Sequence, residues 1–155
     1  MAAPRKSRTT GRHNPAGPPY VGALLRFAWQ RARTHINDAV RAAGFTDLQD
    51  SHLGAFSYPP PDGVRLSEMA RRLNMSRQAM NYLIGQLEEL GYVERRAATG
   101  SERRLIYLTA RGHEVVMVIH AALQELHEEW AGVLGPQRFA EFLDTLRLLS
   151  GLPSD

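Results

Sequence analysis

Side chains able to read the edges of DNA bases recur at helical spacing in the stretch from Ser76 to Leu90. At 100° per residue, one arc of about 140° on the predicted helix carries Arg77, Gln78, Asn81 and Tyr82, together with Gly85. Arginine can donate two hydrogen bonds to guanine, and asparagine or glutamine can pair with adenine. A glycine on this face adds no side chain that would hold the helix away from a groove. This pattern predicts base contacts in duplex DNA; an ordinary amphipathic surface helix is the alternative interpretation.

The predicted helix also begins with a residue suited to phosphate binding. Ser76 precedes it and is expected to cap it. A hydroxyl group and unpaired amides at a helix N-terminus favour a phosphate oxygen. Ser76 is therefore predicted to contact the DNA backbone.

Four arginines flank a short turn further along the chain. Arg95 and Arg96 precede the small residues 97–101, and Arg103 and Arg104 follow them. Guanidinium groups around a small tip can reach a neighbouring minor groove or the phosphate backbone. Glu102 is the only acid in this turn, and it can orient Arg104. The pattern predicts a basic hairpin that contacts DNA.

Other chemistries find little support in the residue pattern. His113, His120 and His127 recur every seven residues, and on a helix that interval rises about 10 Å, too far for two of them to bind one metal ion. We therefore predict packing or interface roles for these histidines and no metal site. The chain has no glycine-rich phosphate loop and no nucleophile motif. We predict neither an enzyme nor a bound cofactor.

Composition sets the class of protein. The chain has 155 residues, 43% hydrophobic and 23% charged, which suits one globular domain. Because cysteine is absent, disulfides and thiolate metal sites are excluded. No apolar run is long enough to span a membrane or to form a signal peptide, so we expect a cytoplasmic protein without a membrane partner.

Charge is distributed unevenly. The net charge is +3, but residues 1–37 carry seven cations and no acid, whereas residues 111–155 carry seven acids and three arginines. This asymmetry suggests a polyanionic partner met on one side. Residues 1–19 are predicted to be a flexible basic arm, either an electrostatic tether or a solvated tail.

Periodicity and turn residues predict the elements that hold these groups. Apolar spacing predicts a helix over about 20–43, a second over 47–58 and a short third capped by Ser67. Asn74 makes the turn before the DNA-reading helix, and Gly91 ends that helix. Strands are predicted at 92–96 and 104–108. Thr109 is expected to cap a long helix, which residues 135–136 separate from a last helix ending near Gly151.

Residues 66–112 resemble the MarR family of winged-helix transcriptional regulators. The resemblance is carried by the segments Leu66–Ala70, Ser76–Met80, Leu87–Val93 and Leu108–Gly112. It implies a mainly α fold with a small β-hairpin wing, in which residues 20–151 form one domain. A winged helix-turn-helix at about 46–109 would lie between dimerisation helices at about 20–43 and 110–151. The implied homodimer would read a palindromic operator through Ser76, Arg77, Gln78, Asn81 and arginines of the wing.

The wing departs from the family pattern at its tip. Members commonly carry Asp-x-Arg there, whereas this chain has Gly100-Ser101-Glu102 followed by Arg103-Arg104. We predict that Arg103 enters the minor groove, with Arg104 beside it.

The resemblance also implies a small-molecule effector between the dimer helices and the DNA-binding lobe. Candidate lining residues are Trp29, His52, Phe56, Tyr58 and Met117, each of which can instead belong to an ordinary core. The expected function is a ligand-responsive, sequence-specific repressor. Two alternatives stay open: a sequence-indifferent architectural DNA-binding protein, and a winged helix used for protein–protein contact.

Overall fold

The structure is a computed structural model that describes residues 19–56, 63–97 and 104–151. The predicted arm up to residue 18, Tyr58 and Arg103 therefore lie outside the described residues. Within these ranges the chain forms six α-helices, a single 3-10 turn and an antiparallel hairpin. The elements are α1 (Val21–Ala42), α2 (Asp50–Leu53), the 3-10 turn (Gly54–Phe56), α3 (Leu66–Arg72), α4 (Arg77–Glu89), β1 (Val93–Ala97), β2 (Arg104–Leu108), α5 (Ala110–Leu134) and α6 (Pro136–Leu149).

The long helices form one layer of the molecule. Along α5, residues at intervals of three and four are buried: Val115, Ile119, Ala122 and Leu126. This stripe gives α5 a continuous apolar face. Helix α1 packs against α5, and α6 folds back onto α5 after the glycine at position 135, whose φ is +85°. None of the described helices is long and apolar enough to cross a membrane.

The buried side chains of the winged part belong to a core that also includes residues of α1 and α5. Met80, Ile84 and Leu87 of α4 are completely buried, as is Tyr92 at the start of the hairpin. The strands pair with Val93 opposite Leu108 and Arg95 opposite Ile106. The reading helix and the hairpin thus share one core, as their apolar spacing predicts.

Two local predictions are wrong. The second helix was expected over 47–58, but α2 begins at Asp50 because Gln49 and His52 form a reciprocal capping box, and a 3-10 turn follows it. Ser67 was expected to cap α3. Instead Arg65 is the N-cap residue and makes no side-chain capping bond, so Ser67 lies exposed in the first turn.

The other two predicted caps are confirmed. The Ser76 hydroxyl oxygen accepts a hydrogen bond from the Ala79 amide at 3.1 Å, and that of Thr109 accepts one from the Gly112 amide at 3.2 Å. Both bonds fix a helix start at the edge of the winged part.

Gly112 allows α5 to approach the hairpin closely. A Cβ atom at this position would lie 2.2 Å from the carbonyl oxygen of Tyr92, a contact that no side chain can make. The Thr109 hydroxyl also donates to the Gly91 carbonyl at 2.7 Å. The base of the wing is therefore fixed directly to the first turn of the long helix.

Candidate nucleic-acid interface

The polar face of α4 lies on the surface of the molecule. Arg77, Gln78 and Asn81 are exposed, and 70% of Tyr82 is accessible to solvent. Gly85 lies on the same side, and a Cβ atom there would meet nothing within 4 Å. The structure thus brings the predicted helix contacts together on one open face.

The turn before α4 presents its N-terminus. Asn74 adopts a left-handed conformation with φ +51°, and the Met75 amide closes the turn on the Ala70 carbonyl at 2.8 Å. Ser76 is exposed at the cap position. The first amides of a helix have no partner within it, so this end offers donors to an anion.

The arginines of the hairpin have unequal surroundings. Arg96 is exposed, with its guanidinium carbon 3.9 Å from the centre of the Tyr107 ring and its Nε atom 3.6 Å from Glu94. Arg104 is exposed at the start of β2. Arg95, by contrast, packs against α4, and only 25% of its side chain is accessible. Arg96 and Arg104 are therefore freer to meet DNA than Arg95 is.

A polar cluster joins three elements behind this interface. The Tyr92 hydroxyl donates to one oxygen of Asp47, and Arg111 donates to the other oxygen at 2.9 Å. Arg111 also donates to the Leu90 carbonyl at 2.6 Å. The hydrogen bond from Tyr92 lowers the pKa of Asp47, assisted by Arg111. Burial, followed by the Asp47 bond, raises the pKa of Tyr92 to about 12.

This cluster did not emerge from the sequence. Asp47, Tyr92 and Arg111 are far apart along the chain. Tyr92 and Arg111 lie in two of the segments that carry the family resemblance, Leu87–Val93 and Leu108–Gly112, but no spacing pattern relates the three residues to one another.

His52 links the α2 segment to α4 from inside the core. It is 2% exposed, its Nδ1 atom accepts the Gln49 amide at 3.1 Å, and its Nε2 atom lies 3.3 Å from Gln86 Oε1. Because Nδ1 accepts the amide, Nε2 is the ring nitrogen that donates to Gln86 Oε1. Gln86 in turn donates to the Tyr82 hydroxyl at 3.4 Å.

A groove lies between α1, the α2 segment and α5. Its volume is about 270 Å³, and its lining includes Trp29, Ile36, Leu53, Ile119 and Leu123. Arg33 and Asp50 also line it, with Nη2 and Oδ2 atoms 3.3 Å apart.

The four candidate effector residues that the structure describes are not brought together. Trp29 lines this groove, but His52 and Phe56 are buried in the core and do not. Met117 is 68% exposed on α5 and is not part of the lining.

The evenly spaced histidines show no metal-binding arrangement. His113, His120 and His127 are all exposed, and the His127 ring packs edge-on against Phe139 with ring centres 5.4 Å apart. Among the residues in the three described ranges, no three histidine, aspartate or glutamate side chains form a group that could hold a metal ion.

Comparison with known sequences relates the chain to bacterial regulators. A model of the MarR family matches residues 53–104. The transcriptional activatory protein BadR of Rhodopseudomonas palustris is 34% identical over 116 residues, which cover 72% of this chain and 63% of BadR. The chain thus spans less than two thirds of that relative. The HTH-type transcriptional repressor Rv2887 of Mycobacterium tuberculosis is 31% identical over 136 residues, covering 87% of this chain and 89% of the repressor.

Solved structures share the fold. Rv2887 in complex with salicylic acid superposes with a TM-score of 0.60 at 28% identity, covering 86% of this chain and 98% of that one. The oxidised form of MarR from E. coli gives a TM-score of 0.68 at 19% identity, covering 86% and 96%. CouR from Rhodococcus jostii RHA1, bound to p-coumaroyl-CoA, gives a TM-score of 0.65 at 20% identity. The match covers 84% of this chain and 91% of CouR. With sequence relatedness along most of its length and the winged-helix fold in common, the chain belongs to the MarR family of DNA-binding transcriptional regulators.

Proposed function

We propose that the chain is a ligand-responsive repressor that binds a palindromic operator as a homodimer. The observation that carries this proposal is the open polar face of α4 beside the basic hairpin. In this mechanism Arg77, Gln78 and Asn81 read bases in the major groove. The backbone and minor-groove contacts come from Ser76, Tyr82, Arg96, Arg103 and Arg104.

Exposed apolar side chains support dimerisation through the first and last helices. At the start of α1 they are Tyr20, Val21, Leu24, Leu25 and Phe27, and at the end of α6 they are Leu148 and Leu149. A groove of about 290 Å³ between α1, α5 and α6 adds apolar surface, including Trp29 and Trp130. A contiguous apolar surface of this kind favours association. Twofold symmetry would place two copies of α4 in successive major grooves.

The groove between α1, the α2 segment and α5 is the proposed effector site. Its volume of about 270 Å³ suits a small molecule, and Trp29 with Arg33 offers an aromatic surface beside a cation. The complexes of Rv2887 with salicylic acid and of CouR with p-coumaroyl-CoA support a small-molecule response.

The proposed ligand acts by shifting populations. A molecule that binds better to a dimer with wrongly spaced recognition helices lowers operator occupancy. Repression itself is steric, because the bound dimer covers promoter elements. The mechanism uses binding equilibria only and has no catalytic step. A repressor is favoured over an activator because Rv2887 aligns over more of the chain than BadR does.

Selection of bound sites from a random DNA pool tests this proposal. We expect a palindrome whose half-sites lie about one helical turn apart. On the selected site, R77A and N81A should each weaken binding by about 5- to 150-fold, the effect of one lost bidentate base contact. Folding and dimerisation should be unchanged in both variants.

The same experiment separates the alternatives. An architectural protein would yield no consensus and would lose its bound site to random competitor DNA. A protein–protein module would fail to bind DNA even at low salt. Unchanged operator affinity in both R77A and N81A would refute the assignment of α4.

A further inference from the structure

The outer edge of β1 faces α4. Ile106 exchanges both of its backbone hydrogen bonds with Val64 on the far side of the hairpin, at 3.0 and 2.9 Å. The pair of Arg95 and Ile106 is therefore a non-hydrogen-bonded pair, and the Arg95 amide points to the free edge of the hairpin. Glu88 Oε1 accepts this amide at 3.2 Å. The Glu88 carboxylate of α4 thus supplies the acceptor for the Arg95 amide at the strand edge.

The side chain of Arg95 strengthens the same junction. Its Nη2 atom donates to the Asn81 carbonyl at 3.3 Å, and its Nε atom lies 3.6 Å from Glu88 Oε2. Asn81 and Glu88 are two helical turns apart, so the guanidinium group lies along the side of α4. A single arginine therefore connects the strand to two levels of the recognition helix.

We infer that Arg95 is a positioning residue, which Glu88 and the Asn81 carbonyl hold in place so that it sets the angle between the wing and α4. Because its guanidinium group is bound along α4 and only 25% of its side chain is accessible, it does not contact DNA, in contrast to the expectation from the sequence. Arg96 and Arg104 supply the cations of the described part of the wing. The inference rests on the proposed operator binding.

Removing Glu88 gives opposite results under the two roles of Arg95. If Arg95 touches DNA, then E88A frees a cation and removes a nearby anion, so binding tightens. If Arg95 positions the wing, E88A releases the strand edge, and operator binding should weaken about tenfold, the effect of losing a hydrogen bond to a charged group.

Glu89 is the matched control. It is exposed in the same turn, and E89A removes the same charge from the next position. We expect E89A to leave affinity unchanged or to tighten it by less than about threefold, as for a screened surface charge. Tightening by E88A equal to that by E89A would overturn the inference.

A double-mutant cycle on operator affinity adds a second criterion. We expect E88A/R95A to lose less affinity than the two single losses combined, because each single variant already breaks the contact between the two side chains, whereas only E88A removes the acceptor of the Arg95 amide. Effects that simply add would overturn the inference. Thermal melting identifies any unfolded variant, and the pair E88Q and E89Q replaces the alanine variants if E88A does not fold. Failure of the wild-type chain to select a site would instead refute the proposed function.

Discussion

Gly85 lies in the middle of the recognition helix, where glycine is costly for stability. It is partly exposed, and a Cβ atom there would meet nothing within 4 Å of the protein. Glycine in a helix interior destabilises a protein by roughly 1 kcal/mol relative to alanine. Among the described residues none explains this glycine, whereas DNA packed against this face of α4 would.

We predict that G85A raises the free energy of unfolding by about 1 kcal/mol while weakening operator binding. The added methyl group projects from the face of α4 that is proposed to contact DNA. Urea denaturation measures the first effect and a titration of labelled operator the second. Unchanged affinity in a stabilised G85A variant would mean that this part of α4 stays clear of the duplex.

At this scale the sequence separates buried from exposed positions well. The rotation of 100° per residue correctly assigns Met80, Ile84 and Leu87 to the core and Arg77 to the surface. It does not tell which exposed charge another element will engage. Arg95 is a cation in a basic hairpin, which made it a candidate DNA contact. Only the packing of β1 along α4 reveals its partners.

At the scale of elements, junctions matter more than helix interiors. The cluster of Asp47, Tyr92 and Arg111 joins the segment after α1 to the start of the wing and to the first turn of α5. The same turn of α5 approaches the Tyr92 carbonyl so closely that only Gly112 fits. The orientation of the winged part on α5 therefore depends on a few polar contacts and one glycine.

The sequence predicted the elements better than their junctions. Ser76 and Thr109 were recognisable caps because each directly precedes an apolar-periodic helix. Ser67 had the same appearance, yet the N-cap of α3 lies two residues earlier, at Arg65, which follows the bridge of Val64 to Ile106. Pairing with a distant segment determines where such a helix begins, and local helix propensity does not reveal that pairing.

We predict that Asp47 makes stability depend on acid pH. Its pKa is lowered in the folded chain, chiefly by the Tyr92 hydroxyl, so the unfolded chain binds the proton more tightly. The stabilisation is therefore present above the ordinary pKa of 3.8 and is lost as the pH falls below it. Denaturant titrations from pH 6 to below pH 3.8 measure this effect. The free energy of unfolding should fall less steeply for D47N than for the wild-type chain.

D144N is the control for this experiment, because it removes a carboxylate on α6 that pairs only locally with Arg147. Equal acid profiles for D47N and the wild-type chain would contradict the prediction. A loss of stability by D47N at neutral pH is expected as well, since Arg111 and Tyr92 lose a charged partner.

At the scale of the whole molecule, most of the exposed large apolar side chains lie on α1, α5 and α6 rather than on the winged part. The exposed aromatic and aliphatic residues at the start of α1 adjoin a groove that α6 also lines. Residues 1–37 add basic charge at the same end of the sequence. Sequence periodicity predicted these helices but not their partner, because a helical stripe looks the same whether it faces its own core or a second copy.

Operator affinity should depend on this surface even though it never touches DNA. In the proposed dimer each half-site is held by one winged helix, and linking two of them makes the second contact intramolecular, which raises affinity by about 10²- to 10⁴-fold. A chain that cannot dimerise should bind the palindrome no better than a single half-site.

We predict that L148E/L149E converts the protein to monomers without unfolding it, because both side chains are more than two thirds exposed in the single chain. Light scattering after gel filtration should give the mass of one chain, and operator affinity should fall by at least about 100-fold. M117E is the control for adding a glutamate, since it places one at a similarly exposed apolar site on α5. A double variant that remains dimeric would exclude the end of α6 from the interface, and a monomer that keeps full affinity would show that each winged helix binds on its own.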